Sequence, residues 1–426
     1  MRDTAGERSA AGTRKSSGKS KRWTHPRHVI VRNLFYPFFW LYARIVYGMR
    51  VRKFREPGKP KRQFLILFNH QTSFDQFFVG LAFKGAVYYV ASEDIFSNGF
   101  LSSLLRYYVA PIPINKTAAD MRAIINCMKV AREGGTIALA PEGNRTYSGR
   151  TCYIKPSVVS LVRKIGFPVA FFRIEGGYGV QPRWSNVNRR GRMTAGVSRV
   201  LEPEEYAGMS DDELYRLICG ELYVDEARAD GRFVHKKSAE YLERVIYVCP
   251  NCGLSDFESR GEYIGCRRCG LTAFYSPTKE LVWQDGSNRF RFVADWYEWQ
   301  ERYINSLDPD SLGHDPIFSD TAGFYGIAIA KSRRLIDRNA KLTLYADRIE
   351  VETKEGKLTF SFSDIGSIAA LGRNKMNIRM GGKVWQVKGS VRFNPLRYMN
   401  FCYRYKNKHE STGKDNNGNG NKFLGL

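Results

Sequence analysis

Between residues 60 and 174 short apolar runs alternate with amphipathic stretches, and this alternation leaves few architectures open. Phe64 to Phe68, Val87 to Ala91, Val109 to Ile114, Thr136 to Ala140 and Val169 to Ile174 read as strands. Asp75 to Phe83, Gly99 to Tyr107, Asp120 to Arg132 and Ser157 to Ile165 read as the helices between them. Repeated strand-helix units predict an α/β domain, a mixed sheet flanked by helices, with its functional groups at the strand ends.

One strand end carries the strongest candidate chemistry. The apolar run from Phe64 stops abruptly at Asn69-His70-Gln71-Thr72-Ser73, whose side chains suit a helix cap, so His70 is expected on a strand-to-helix turn. On one continuous helix His70 and Asp75 would diverge by about 140°. They meet if His70 lies on the turn before the helix and Asp75 in its first turn. A carboxylate there holds the imidazole in one tautomer, which suits a general base with an orienting acid. Two later strand ends carry cations: Pro111-Ile-Pro-Ile-Asn-Lys116, and Ala140-Pro-Glu-Gly-Asn-Arg-Thr146. An arginine fork matches a phosphate and a lysine adds a point charge, so Lys116 and Arg145 are expected to form a phosphate clamp.

These motifs resemble those of the glycerolipid acyltransferase family, whose best-known members acylate 1-acylglycerol 3-phosphate. The family's Asn-His motif, with Asp five residues after the histidine, is matched by Asn69-His70-Gln71-Thr72-Ser73-Phe74-Asp75. Its Pro-Glu-Gly-x-Arg motif is matched by Pro141-Glu142-Gly143-Asn144-Arg145, and a proline before a strand by Pro168. Where the second motif usually ends in arginine this chain has Lys116, which keeps the charge but loses the fork. The resemblance spans about residues 30 to 245. It implies acyl transfer from a thioester of acyl carrier protein or coenzyme A to the hydroxyl of a lysophospholipid. His70 and Asp75 would be catalytic. Lys116, Glu142, Gly143, Arg145, Asn69 and Thr72 would bind substrate, and no catalytic cofactor is implied.

The surroundings point to a membrane. Lysine and arginine number 67 against 42 aspartates and glutamates, a net charge of +25 that calls for an anionic partner. Residues 1–28 are basic and nearly free of aliphatic side chains, and are expected to be a disordered tail. The uncharged, aromatic-rich run Asn33 to Ala43 lies between Arg32 and Arg44 and is too short to cross a bilayer. It suits a helix lying in the headgroup region, or one packed on the core, or both on different faces. Aromatics beside arginine favour a membrane surface, and nucleic acid is disfavoured. No secretory signal and no run of eighteen uncharged apolar residues is visible, so the expected location is peripheral, on the cytoplasmic face of the cell membrane.

Four of the eight cysteines form two pairs, Cys249-x2-Cys252 and Cys266-x2-Cys269, each followed by glycine. That is the spacing of a zinc ribbon, and four thiolates leave no open position, so the expected metal is structural Zn2+. The later strand-rich part, ending in Leu396 to Tyr405 as a closing helix, resembles a pleckstrin-homology (PH) or GRAM-like domain.

The expected organisation is an acyltransferase domain at 29–247, with helical periodicity through 210–247, and a zinc ribbon at 248–272. An irregular linker at 273–338, a PH/GRAM-like β domain at 339–405 and a disordered tail at 406–426 follow. A second reading is a non-catalytic, membrane-associated adaptor that uses the ribbon and β domain to bind a partner.

Overall fold

The computed structural model describes residues 22–56, 62–92, 100–114, 121–328 and 332–409. Lys116 lies outside the described residues, as do most of the basic N-terminal tail and residues 410–426.

The N-terminal unit begins with α1 (Pro26–Tyr47), β1 (Met49–Val51), β2 (Leu65–Phe68), α2 (Asp75–Ala82), β3 (Val87–Ser92), α3 (Phe100–Tyr108) and β4 (Ile112–Ile114). It continues with α4 (Met121–Arg132), β5 (Thr136–Leu139), α5 (Ser157–Ile165), β6 (Val169–Glu175), α6 (Gly177–Val180), β7 (Met193–Leu201), α7 (Pro203–Ala207) and α8 (Asp211–Leu222). The seven strands form one mixed sheet in the order β1-β7-β6-β2-β5-β3-β4. β2 is central, pairing in parallel with both β5 and β6. All four of its residues are buried, because the sheet is covered on both faces. Leu65 and Leu67 join a core with α4, α5 and α8, whereas Ile66 and Phe68 face a core with α1 and α2.

The sequence predicts this alternation, with ends shifted by a few residues. The expected helical stretch 210–247 is helical only over α8, apart from a 3-10 turn at Leu242–Arg244. Beyond Leu222 the chain is irregular, and the buried Lys279 compensates: its ammonium donates to the carbonyls of Glu226 and Ala229, both at 2.6 Å. The described structure starts before the expected boundary at residue 29. The backbone amides of Trp23 and Thr24 donate to Glu133 at 2.8 and 2.7 Å, anchoring the entry to α1.

α1 has two faces. Phe39 stacks against Phe77 with ring centroids 4.4 Å apart, and Ala43 and Tyr47 are buried. Leu34, Phe38, Leu41 and Ile45 are exposed on the other side. The helix extends the aromatic run at both ends to 22 residues, so it is long and apolar enough to cross a membrane, contrary to the length expected from the uncharged run alone.

The described residues of the linker expected at 273–338 hold regular strands and a helix. Strands 257–260, 263–266, 272–275 and 281–283 form an antiparallel sheet that starts between the two cysteine pairs and runs on past them. Helix Val293–Ser306 then packs beneath it. Gln300 accepts from the amides of Tyr247 and Val248 at 2.7 and 3.1 Å and donates to the Val245 carbonyl at 2.9 Å. The C-terminal sheet begins at Phe318, not at 339, and its seven antiparallel strands run in the order 356–361, 348–353, 332–344, 318–328, 383–389, 375–380, 365–371. The last helix, Pro395–His409, runs past the expected end of the fold, and its Lys408 pairs with Asp310 at 2.7 Å. Buried residues of the cysteine module, helix Val293–Ser306 and this sheet form a single core.

Candidate active site

Parallel pairing brings the candidate motifs together. β2, β5 and β6 are neighbours pointing the same way, so the loops leaving their C-terminal ends share one edge of the sheet. His70 follows β2, Arg145 follows β5 and Gln181 follows β6.

His70 and Asp75 meet across the turn. Asp75 opens α2, and its Oδ2 lies 2.8 Å from His70 Nδ1. The same carboxylate accepts from the amides of Gln71 (2.6 Å) and Thr72 (2.9 Å) and from the Thr72 hydroxyl (2.6 Å). Asp75 is fully buried, while the His70 side chain is 24% exposed. An acceptor held by three other donors orients the imidazole without moving.

Glu142 builds the turn from beneath. Its two oxygens accept from the amides of His70 and Cys152, both at 2.7 Å, and the Thr146 amide donates to the His70 carbonyl at 3.2 Å. Burial pushes the Glu142 carboxyl up to about 8, against the opposing pull of those amides. Gly143 takes the left-handed conformation, φ 68°, that lets the loop turn back toward Arg145.

Three expected substrate contacts need correction. Asn69 is buried, and its amide exchanges hydrogen bonds with the Ile174 backbone at 2.8 and 2.7 Å, stitching β2 to β6. Thr72 is buried, with its hydroxyl between Asp75 and the Phe74 amide. Glu142 is buried with both oxygens engaged by backbone. All three shape the loop from within, because polar atoms this buried must satisfy each other.

Residues distant in sequence complete the site. Gln181 Oε1 accepts from the Ser73 amide and hydroxyl, both at 2.9 Å, and from Arg145 Nη1 at 3.3 Å. Its amide nitrogen donates to the Tyr47 hydroxyl at 3.0 Å, linking the site to α1. Arg183 stacks on Tyr147 at 3.8 Å and donates to the Arg145 carbonyl at 2.9 Å. Burial, with Arg183 and Arg373 nearby, lowers the Arg145 guanidinium to about 10. The only sequence hint of Gln181 is Gly176-Gly177, a tight turn at the end of β6. Nothing local in the sequence signals Arg183 or Arg373.

The four cysteines converge as their spacing predicts. Cys249 and Cys269 sulfurs lie 3.5 Å apart, those of Cys252 and Cys266 3.6 Å apart, and all four within 4.8 Å of one another. A tetrahedral zinc with Zn–S bonds of about 2.3 Å spaces its sulfurs about 3.8 Å apart, so the group fits a metal ion.

A parallel-rich α/β sheet thus places an oriented histidine and a half-buried arginine together at one edge. Residues 49–174 match the family model for Acyltransferase. Among solved structures, the 1-acyl-sn-glycerophosphate acyltransferase PlsC from Thermotoga maritima is 21% identical, covering 46% of this chain and 78% of that one with a TM-score of 0.39. The C-terminal domain of an unknown protein from Leishmania infantum is 11% identical, covering 20% of this chain and 79% of that one with a TM-score of 0.15. No curated protein matches the chain.

Proposed function

We propose that the protein is an O-acyltransferase moving a fatty acyl group from acyl carrier protein or coenzyme A to a lysophospholipid, most simply 1-acylglycerol 3-phosphate to give phosphatidate. The observation that carries this reading is the His70 ring held 2.8 Å from the buried Asp75, within the matched acyltransferase segment. With Nδ1 committed to Asp75, Nε2 is the nitrogen that serves as base. It takes the proton of the acceptor hydroxyl as that oxygen bonds to the thioester carbonyl carbon. The C–S bond then breaks, and the imidazolium returns its proton to the departing thiolate. Asp75 stabilises the imidazolium between these steps, and Arg145 holds the acceptor's phosphate.

A structural zinc ion on Cys249, Cys252, Cys266 and Cys269 would brace the module whose core continues into the C-terminal sheet. The exposed apolar face of α1 supports attachment to a membrane, which this reading makes peripheral and on the cytoplasmic face. The test is a mass-spectrometric screen of the purified protein against a panel of lysolipids, with both kinds of donor, beside His70→Ala. Transfer by the wild type that His70→Ala abolishes is the expected result, and full activity in the variant would overturn the mechanism.

A further inference from the structure

The C-terminal sheet reaches into the candidate site. Its strands 365–371 and 375–380 are joined by a turn carrying Gly372, Arg373 and Asn374. Arg183 grips this turn from the acyltransferase side, donating to the carbonyls of Ala370 at 3.2 Å and Gly372 at 3.4 Å. The same guanidinium donates to the Arg145 carbonyl at 2.9 Å. One guanidinium spans both carbonyls, so the carbonyl oxygens of Arg145 and Gly372 stand no more than about 9 Å apart. Asn374 fixes the turn from its other side, donating to the carbonyls of Gly389 and Ser390, both at 2.9 Å.

Arginines 145, 183 and 373 therefore crowd one corner, and among the described residues none of them makes an ion pair with a carboxylate. Arg183 spends its donors on backbone carbonyls. Arg373 is half-buried, its Nε is buried without a hydrogen-bond partner, and no acid neutralises it. Burial and Arg183 lower the Arg145 guanidinium, Asp75 opposes them in part, and Arg373 adds to the lowering. Cations brought this close without a directly paired carboxylate cost free energy that an anionic ligand restores in part.

We propose that Arg373 is a specificity-determining residue of the acyl-acceptor site, clamping the acceptor's phosphate monoester together with Arg145. The inference rests on the acyltransferase reading above and assigns the C-terminal sheet a part in substrate choice. A phosphate monoester presents oxygens to two arginine forks at once, whereas a neutral glyceride leaves both forks unpaired. The turn is held by Arg183 and Asn374 before any ligand arrives, so little ordering is needed on binding.

The test measures steady-state transfer by the full chain from oleoyl-coenzyme A and from oleoyl-acyl carrier protein. The acceptors are 1-oleoyl lysophosphatidate and the neutral 1-oleoylglycerol. Arg373→Gln is expected to raise the KM for lysophosphatidate about tenfold with kcat changed less than about twofold. Arg379→Gln removes the same charge about 14 Å along strand 375–380 from the turn and should leave both parameters unchanged. An unchanged KM in Arg373→Gln, or an equal effect in Arg379→Gln, would overturn the inference while leaving the acyltransferase reading intact. If Arg373→Gln melts early, Arg373→Lys carries the test: a severalfold rise in KM supports the clamp, and an unchanged KM overturns it. Wild-type protein that acylates neither acceptor with either donor would overturn the underlying reading, and the clamp with it.

Discussion

Asp75 accepts from His70 Nδ1 at 2.8 Å through the same oxygen that accepts the Gln71 amide at 2.6 Å, so one atom both builds the turn and orients the ring. Asp75→Asn keeps the shape but offers one acceptor oxygen where two are in use. An amide oxygen at the Oδ2 position turns the NH2 group onto the Thr72 amide and hydroxyl, and the opposite orientation turns it onto the Gln71 amide and His70 Nδ1, which selects the wrong tautomer. Transfer is expected to fall about 10³-fold in Asp75→Asn and by a similar factor in His70→Ala, with non-additive loss in the double variant. Single-turnover rates check this, and additive losses would show that the two side chains act separately.

Gly177 presses on the same turn. A Cβ there would lie 2.5 Å from the Gln71 Cβ and 3.2 Å from Thr72 Cγ2, both at the base of the His70 loop. Gly177→Ala is expected to cost about 1–3 kcal/mol of stability, and to lower kcat by about 10²-fold through misplacement of His70. Urea melts beside kinetics separate the two effects. A variant with normal kcat would mean that the loop tolerates displacement.

Glu142 makes stability depend on pH in a definite direction. Burial holds its folded carboxyl at about 8, above the ordinary carboxylate value of 4.5, so the folded state holds the proton more tightly than the unfolded chain. Its contribution is full below pH 4.5 and is lost as pH rises through 8. Glu226 and Glu301, which burial raises to about 7, act in the same sense. Glu142→Gln should flatten the fall in unfolding free energy between pH 5 and 8 by up to about 1.4 kcal/mol per pH unit. Below pH 5 it should lower stability by about 1–3 kcal/mol, because one of two backbone amides loses its acceptor, and this deficit should shrink as pH rises. A pH series of urea melts gives both numbers, and a slope identical to wild type would place the ionisation elsewhere.

The local part of this site was legible because its chemistry lies within a few residues. His70 and Asp75 sit five apart at a strand-to-helix turn, and the Pro141–Arg145 motif follows the adjacent parallel strand. Asn69 and Thr72 misled because a polar side chain next to a reactive histidine reads as a ligand contact, whereas burial turned both inward. Gln181 and Arg373 were invisible for the opposite reason. Ser73 and Gln181 are 108 positions apart, and only strand order brings them together. The stretch 273–338 reads as irregular because Ser319-Asp320-Thr321 and two glycines interrupt the strand pattern of 318–328. Its tryptophans carried the better signal: Trp296 is buried, with its indole N–H on the Val248 carbonyl at 2.9 Å, at the junction of the cysteine module and the helix.

That junction makes the metal a matter of global stability. Cys249 and Cys266 are buried in the core that runs through Trp296 to the C-terminal sheet. Purified protein is expected to hold one zinc per chain by elemental analysis. Chelation, or Cys249→Ser, should lower the melting temperature of the whole C-terminal half, since structural zinc contributes about 10–16 kcal/mol in small isolated modules. A full-length melt insensitive to chelator would show that the shared core stands without the metal.

The last prediction concerns α1, whose buried face reaches the site through Tyr47 and Gln181 while its other face has no protein cover among the described residues. Leu34, Phe38, Leu41 and Ile45 are 69, 60, 51 and 71% exposed, and at helical spacing they line one stripe. Burying such a side chain in the acyl region is worth about 1.5–3 kcal/mol each, and anionic lipid adds attraction for a chain of charge +25. Leu34→Glu with Leu41→Glu should therefore reduce co-sedimentation with phosphatidylserine vesicles at least tenfold. The melting temperature should not move, because neither side chain is packed. Raising salt should weaken the wild type only in part, since the apolar share of binding is not screened. Complete release by salt alone would mean that charge holds the protein to the membrane and the stripe does not enter it.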